Sequence, residues 1–144
     1  MSPARWLDDP PVAILDLDPA GLEMVSRVRA EPSGLYSAVP VVIGERSARP
    51  VRGHLAAWAR PRGERAWSYA LVLWPARRED HQGRLAWSWR WGWFAFDPRQ
   101  LRRAHRGETV RGGAAYDQGL SAAIRQAMPA GYTLPTAPPA DGPP

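Results

Sequence analysis

Four tryptophans recur at every second position near the middle of the chain, at 87, 89, 91 and 93. A period of two is that of a β-strand, whose successive side chains point to opposite faces. Leu85 extends the apolar series, and small or basic residues lie between its members. The segment 84–97 therefore predicts a long strand over about 85–96, around which the rest of a sheet must form.

Two further strands are predicted ahead of it, over about 50–60 and 66–74, joined by a glycine-containing hairpin loop. Residues 75–84 are predicted to form a longer polar loop. If odd residues face odd residues across both hairpins, the four tryptophans share one face with the other large apolar side chains. A slip by one residue would mix the two faces, so this register is favoured. We therefore expect the four indoles to lie in the core. Trp58 and Trp74 fall on the opposite face, where they are either exposed aromatics or covered by a helix or a second sheet.

The flanking segments complete an α+β domain. The stripe of Tyr116, Leu120, Ile124 and Met128 has helical spacing and predicts a helix over 114–128. Asp18 as a cap and Pro19 at the first position predict a second helix over 19–30. The remaining expected elements are a strand over 12–17, an edge or bulged strand over 36–43 that contains Pro40, and a helical turn over 99–103.

The predicted fold is a twisted antiparallel sheet or small barrel of about five strands that packs against these two helices. Residues 1–132 form its single domain, with a barrel-like core over 50–103. Residues 133–144 contain five prolines and no apolar period, so a disordered tail is expected.

The segment 51–103 resembles small SH3-like β-barrels. The residues that carry this resemblance are Gly53, Trp67, Trp93-Phe94, Asp97-Pro98 and Leu101-Arg102. The chain is also similar to small Trp- and Arg-rich proteins of high-GC actinobacteria. SH3-like barrels bind peptides, RNA, DNA or other subunits, so the resemblance implies binding rather than catalysis.

The charge of the chain is strongly segregated. All 19 basic residues are arginine, and the formal net charge is +5. Residues 46–111 hold fifteen Arg and five acids (+10), residues 1–45 hold three Arg and seven acids (−4), and residues 112–144 add −1. This pattern indicates either an anionic partner or an acidic N-terminal part that folds against the basic part. A GC-rich genome would also enrich arginine without any function.

The leading functional hypothesis is a small non-catalytic protein that binds DNA or RNA through an Arg/Trp sheet face. Arginine supplies charge for phosphates, and aromatic side chains supply stacking surfaces for bases. The alternative is a protein-interaction or assembly subunit, which docks a partner or a second copy through the Trp/Phe-rich sheet. The predicted nucleic-acid site consists of Arg52, His54, Trp58, Arg60, Arg84 and Arg90.

The sequence contains no catalytic motif that would favour an enzyme over these two hypotheses. Cysteine is absent, which excludes disulfides, thiolate metal sites and cysteine nucleophiles. Asp16 and Asp18 lack a third acid to complete a metal site, and no cofactor or catalytic residue is predicted. With no long apolar run and no signal-peptide pattern, we expect a cytoplasmic protein and no membrane partner.

Overall fold

The computed structural model describes residues 5–105, residue 108 and residues 113–129. The described part of the chain forms nine strands, a short 3₁₀ turn and one α-helix. In chain order these elements are β1 (Arg5–Trp6), the 3₁₀ turn (Pro19–Gly21), β2 (Leu22–Ser26), β3 (Arg29–Ala30), β4 (Tyr36–Ser37), β5 (Val39–Ile43), β6 (Val51–Pro61), β7 (Tyr69–Glu79), β8 (Leu85–Ala95), β9 (Leu101–Arg103) and α1 (Gly113–Ala127).

Seven strands form one antiparallel sheet around the central β6–β7 pair. One side of β7 is paired with β8 along its whole length, and the other side pairs with β6 and, near Arg78, with β1. The far side of β6 is shared by β5 and β2, and β9 extends β5. β3 and β4 make a separate ribbon. Within the described residues the sheet stays open, so the antiparallel sheet is confirmed and the barrel alternative is wrong.

The three central strands were predicted correctly, but the loop predicted over 75–84 is wrong because β7 continues to Glu79. Pro75 lies opposite Trp89, in a pair whose members direct their N–H and C=O groups away from each other. The missing N–H of Pro75 therefore costs no β7–β8 ladder bond. The turn begins at Asp80, whose Oδ1 accepts hydrogen bonds from the N–H groups of Gln82 and Arg84.

A β-bulge in β6 divides the predicted register into two parts. Odd residues face odd residues throughout β7–β8, and Ala57 faces Leu71 in the same way. Between Leu55 and Ala57 the register shifts, so that His54 faces Leu73. An extra residue at a bulge exchanges the faces on which the following side chains lie. His54 and Trp58, which were predicted to share one face, consequently lie on opposite faces.

Each face of the sheet carries a hydrophobic cluster, so the predicted small and basic face is wrong. The cluster under α1 includes Leu71, Leu73, Trp93, Leu120 and Ile124. The cluster on the other face includes Trp58, Val72, Trp74, Phe94 and Leu101. That second face is covered by residues around Trp6 and Val12, which the sequence did not place there, and side chains of β5 and β9 in the same sheet belong to the cluster.

The tryptophan stripe of β8 lies only partly in the core. Trp93 is 9% exposed and Trp89 is partly buried against α1, whereas Trp91 is 36% and Trp87 71% exposed. The prediction that all four indoles lie in the core is therefore wrong at 87 and 91. α1 covers Trp89 and Trp93, whereas Trp87 lies beyond the helix and faces Arg77 across the hairpin.

Residues 19–30 do not form the predicted helix. Asp18 does cap the turn, since its Oδ1 accepts from the Ala20 N–H at 3.0 Å, but the turn ends at Gly21. β2 then pairs with Ala57–Pro61, the part of β6 that β5 leaves free. A free strand edge is a strong pairing site, and this tertiary pairing overrides the local preference for helix.

Three smaller predictions also need correction. Residues 12–17 form no strand, only an isolated bridge between Leu15 and Trp93. Pro40 lies in β5, which has β6 on one side and β9 on the other, so β5 is not an edge strand. The segment 99–103 is a turn followed by β9, although Leu101 is buried as expected.

The C-terminal helix was predicted almost to the residue. Leu120 and Ile124 are buried, and Tyr116 and Met128 are half-buried at the two ends of the same stripe. The Ser121 hydroxyl accepts from the Tyr36 N–H and donates to the Tyr36 carbonyl, which ties α1 to β4. Residues 133–144, where a disordered tail was predicted, lie outside the described residues. No helix in the described ranges combines the length and the apolar character that crossing a membrane requires.

Candidate functional site

The six residues predicted to bind nucleic acid lie in several different surroundings. Arg52 is exposed on β6, and Arg84 is exposed at the end of the β7–β8 turn. Trp58 is 3% exposed and packs edge-on against Phe96, with ring centroids 4.8 Å apart, so it is not an exposed aromatic. The structure does not bring the six together, and their binding of nucleic acid stays a prediction.

His54 packs under α1, away from the other predicted residues. Its Nε2 lies 2.9 Å from the Tyr116 hydroxyl, and its ring meets Trp89 edge-on at 5.8 Å. Burial lowers the pKa of His54, with Asp117 and the Ala38 backbone acting in the opposite direction. Burial also raises the pKa of Tyr116 to about 12. At neutral pH the pair is therefore uncharged, which suits a Tyr O–H donating to imidazole and anchoring α1 on β6.

Ion pairs connect the acidic N-terminal part with the basic segment. Each joins an acid from residues 1–45 to an arginine from residues 46–111. They are Asp8–Arg77 (2.7 Å), Asp9–Arg90 (3.1 Å), Glu23–Arg60 (3.0 Å) and Glu45–Arg102 (2.7 Å). This arrangement supports the interpretation that the acidic part folds against the basic part, and it partly neutralises two of the predicted site residues, Arg60 and Arg90.

Neighbouring arginines strongly lower the pKa values of two carboxylates. Hydrogen bonds from Arg77 lower the pKa of Asp8 to about 2. Those from Arg102 and the His105 N–H lower the pKa of Glu108 to about 2. The second carboxylate near Arg102 is Glu45, which lies 2.7 Å from its Nε, although that nitrogen lacks the geometry of a hydrogen bond. Arg102 is thus engaged by two acids and is a poor candidate for binding an external anion.

Two of the predicted arginines also stack on indole rings. The Arg60 guanidinium lies 4.2 Å from the centre of the Trp67 ring. Arg90 lies between Trp6 and Trp74, at 5.4 and 5.7 Å from their ring centres. Cation–π contacts of this kind hold an arginine in place. The interleaved Arg and Trp residues therefore stabilise the fold at these positions.

The most unusual exposed feature is the outer edge of β8. Leu85 is 63% exposed there, beside Trp87 and Trp91. The Leu15 N–H donates to the Trp93 carbonyl at 2.8 Å. Because backbone groups alternate in direction along a strand, the odd residues of β8 direct their N–H and C=O groups away from β7. Among the described residues, no backbone hydrogen bond reaches this edge between Leu85 and Trp91.

The sequence itself contains a signal for this exposed edge. Leu85 and Trp87 lie opposite Glu79 and Arg77. The apolar stripe of β8 therefore extends further towards the hairpin turn than the apolar part of β7. Large apolar side chains opposite charged ones are not covered by their own hairpin. An exposed apolar edge strand is uncommon in a soluble monomer and is a ready template for pairing with another chain.

Comparison with protein-family models, with curated proteins and with solved structures gives no match to this chain. Within the described residues, no group of three or more His, Asp or Glu side chains is placed to hold a metal ion. Function is therefore inferred from the geometry of this chain alone.

Proposed function

We propose that the protein is an assembly subunit that pairs through β8 with β8 of a second copy. The carrying observation is the outer edge of this strand, which no described residue pairs with between Leu85 and Trp91, and where Leu85 and Trp87 are 63% and 71% exposed. Association would satisfy the free backbone groups and bury both side chains. These are the two gains that drive strand addition.

The sequence of β8 is self-complementary in one antiparallel register. If the two-fold axis passes through Ser88, Trp87 lies opposite Trp89 of the second copy and Leu85 lies opposite Trp91. All four residues direct their N–H and C=O groups outward, so each of these pairs is a hydrogen-bonded pair. Aromatic and aliphatic pairs across strands are among the stabilising ones.

Neighbouring registers are less favourable. An axis through Arg90 would place two arginines directly opposite each other, which is destabilising. An axis through Trp89 would pair Leu85 with Trp93, whose outer carbonyl already accepts from Leu15. In the register centred on Ser88, Arg90 lies opposite Ala86, and every unpaired outward group of the strand is used.

The surroundings leave room for the incoming strand. An open groove of about 470 Å³ lies along this edge, with Trp6 and Arg78 on one face of the sheet and Gln126 on the other. Arg90, at the same groove, is already bound to the Asp8 carbonyl and the Asp9 carboxylate. Its charge therefore opposes a second copy less than a free guanidinium would.

A Trp87→Lys variant tests the proposal. The wild-type protein should show a mass that rises with concentration towards that of a dimer in analytical ultracentrifugation. A lysine at the centre of the interface should raise the dimer dissociation constant at least about 100-fold, because burying an unpaired charge costs about 3 kcal/mol or more.

The matched control is His81→Lys, which adds a positive charge in the exposed β7–β8 turn, outside the paired segment. It should leave the dissociation constant nearly unchanged. Wild-type protein that keeps the mass of a single chain at every concentration, or equal weakening by both variants, would contradict pairing through β8.

Binding of single-stranded nucleic acid is the second candidate, favoured by the exposed Trp87 indole and by Arg84 and Arg78, which lie at the same end of the β7–β8 hairpin. Neither arginine is ion-paired among the described residues. Stacking and charge together suit single strands. In a fluorescence titration at low salt we expect binding of DNA or RNA, with the logarithmic salt slope reduced by about 0.7 in Arg84→Gln. No binding to any single- or double-stranded oligonucleotide would exclude this candidate.

A further inference from the structure

On the face opposite α1, a buried indole donor has no partner among the described residues. Trp58 is 3% exposed, and its Nε1–H has no hydrogen-bond partner within the described residues. Most buried polar groups in folded proteins are hydrogen-bonded, so an exception needs an explanation. The side chain borders a cavity of about 70 Å³ whose other walls include Val41, Leu55 and Leu101. An acceptor atom that reached Nε1 from this cavity would complete the hydrogen bonding of the indole.

The mouth of the cavity is basic. Arg27 and Arg103 line both the cavity and an adjoining groove of about 270 Å³, and Arg29 lines the groove. None of these three arginines is paired with a carboxylate in the described ranges, and no acid lines the groove there. Arg102, the remaining basic residue at the cavity, is engaged by Glu45 and Glu108. Three arginines without a carboxylate partner among the described residues thus line the cavity or the groove beside it, next to one unused indole donor.

We infer that this site binds a small organic phosphate. Three arginines match a phosphate monoester, which carries nearly two negative charges and three acceptor oxygens, better than a single carboxylate. The cavity is smaller than the roughly 150 Å³ that holds a benzene ring, so it fits only a short apolar arm. A carbonyl oxygen on that arm accepts the Trp58 Nε1–H. This binding site is independent of the pairing edge of β8, which lies on the far side of β7.

Four small molecules test which chemical groups of the ligand the site recognises. Hydroxyacetone phosphate carries the phosphate, the short arm and the carbonyl. Propyl phosphate lacks the carbonyl, inorganic phosphate lacks the arm, and hydroxyacetone lacks the phosphate. Binding should weaken roughly tenfold on loss of the carbonyl, and roughly a hundredfold or more on loss of the phosphate.

The readout is the indole N–H resonance of Trp58 in a ¹⁵N–¹H spectrum, identified by its absence in Trp58→Phe. Hydroxyacetone phosphate should move this resonance strongly, and propyl phosphate much less. Trp58→Phe should still bind propyl phosphate with little change, which also shows that this variant is folded.

Charge variants provide the second arm of the test. Arg27→Gln and Arg103→Gln should each weaken hydroxyacetone phosphate at least about tenfold. Arg65→Gln removes the same charge from an exposed residue of the β6–β7 loop and should have no such effect. An unmoved Trp58 resonance with all four probes, or equal weakening by Arg65→Gln, would overturn the inference.

Discussion

Replacing Trp74 with alanine should lower the free energy of unfolding by about 3–5 kcal/mol, whereas Trp87→Ala should change it by no more than about 0.5 kcal/mol. Trp74 is 2% exposed and lies against Phe94, with ring centroids 5.4 Å apart. Trp87 is 71% exposed. Truncating the first leaves a cavity in the core, and truncating the second removes a side chain that is mostly in water. The sequence alone placed Trp87 in the core and left Trp74 either exposed or covered.

Urea denaturation followed by circular dichroism measures both values. It should be run at the lowest practical protein concentration, because association of the native state would add to the apparent stability of a protein that retains Trp87. Trp74→Phe is an intermediate control that keeps part of the packing and should lose less than Trp74→Ala. Comparable losses for the two alanine variants would mean that Trp87 is buried in the single chain.

The local periodicities of the sequence were sufficient to predict the main elements. Alternation determined β8 and its register with β7, and the four-residue spacing from Tyr116 to Met128 determined α1. Both patterns depend only on neighbours within one element or one hairpin. Such contacts are set by side-chain direction, which the sequence carries directly.

The parts that failed depend on residues distant in sequence. The bulge after Leu55 places His54 on the α1 face. No local sequence pattern predicts a bulge in a strand of small residues. Residues 22–26 became a strand because half of the edge of β6 was vacant. The second face of the sheet became a core because Trp6 and Val12 cover it. Each outcome depended on which distant segments meet in the fold. Intrinsic residue propensity carries no information about those contacts.

The candidate site was predictable to a similar extent. The segregation of charge was visible in the sequence, and the acidic N-terminal part does pair with the basic segment, as between Asp8 and Arg77. Which arginines remained uncompensated was not visible. Arg60 and Arg90 acquired acids and indole rings, while Arg27, Arg29 and Arg103, which line the cavity or its adjoining groove, have no carboxylate partner within the described ranges. Counting residues gives the net charge of each segment, but the fold determines which charged side chains lie close together.

The second large effect is expected at the α1 interface. Ile124 is fully buried between α1 and the sheet, so Ile124→Ala should lower the free energy of unfolding by about 2–5 kcal/mol. Ala122 is exposed on the same helix, and Ala122→Gly should cost only about 1 kcal/mol through helix propensity. Thermal or urea unfolding of the two variants separates packing from propensity.

The same pair of variants tests what α1 does to the pairing edge. α1 covers Trp89 and Trp93, with Trp89 against Tyr116 at 4.9 Å, and leaves Trp87 exposed. Local opening of α1 in Ile124→Ala would lengthen the exposed apolar stripe of β8. Hydrogen exchange should therefore accelerate at the N–H groups of α1, and self-association should strengthen. Ala122→Gly should leave the association constant unchanged. If Ile124→Ala lost stability without any change in association, α1 would not limit the apolar surface that β8 offers to a second copy.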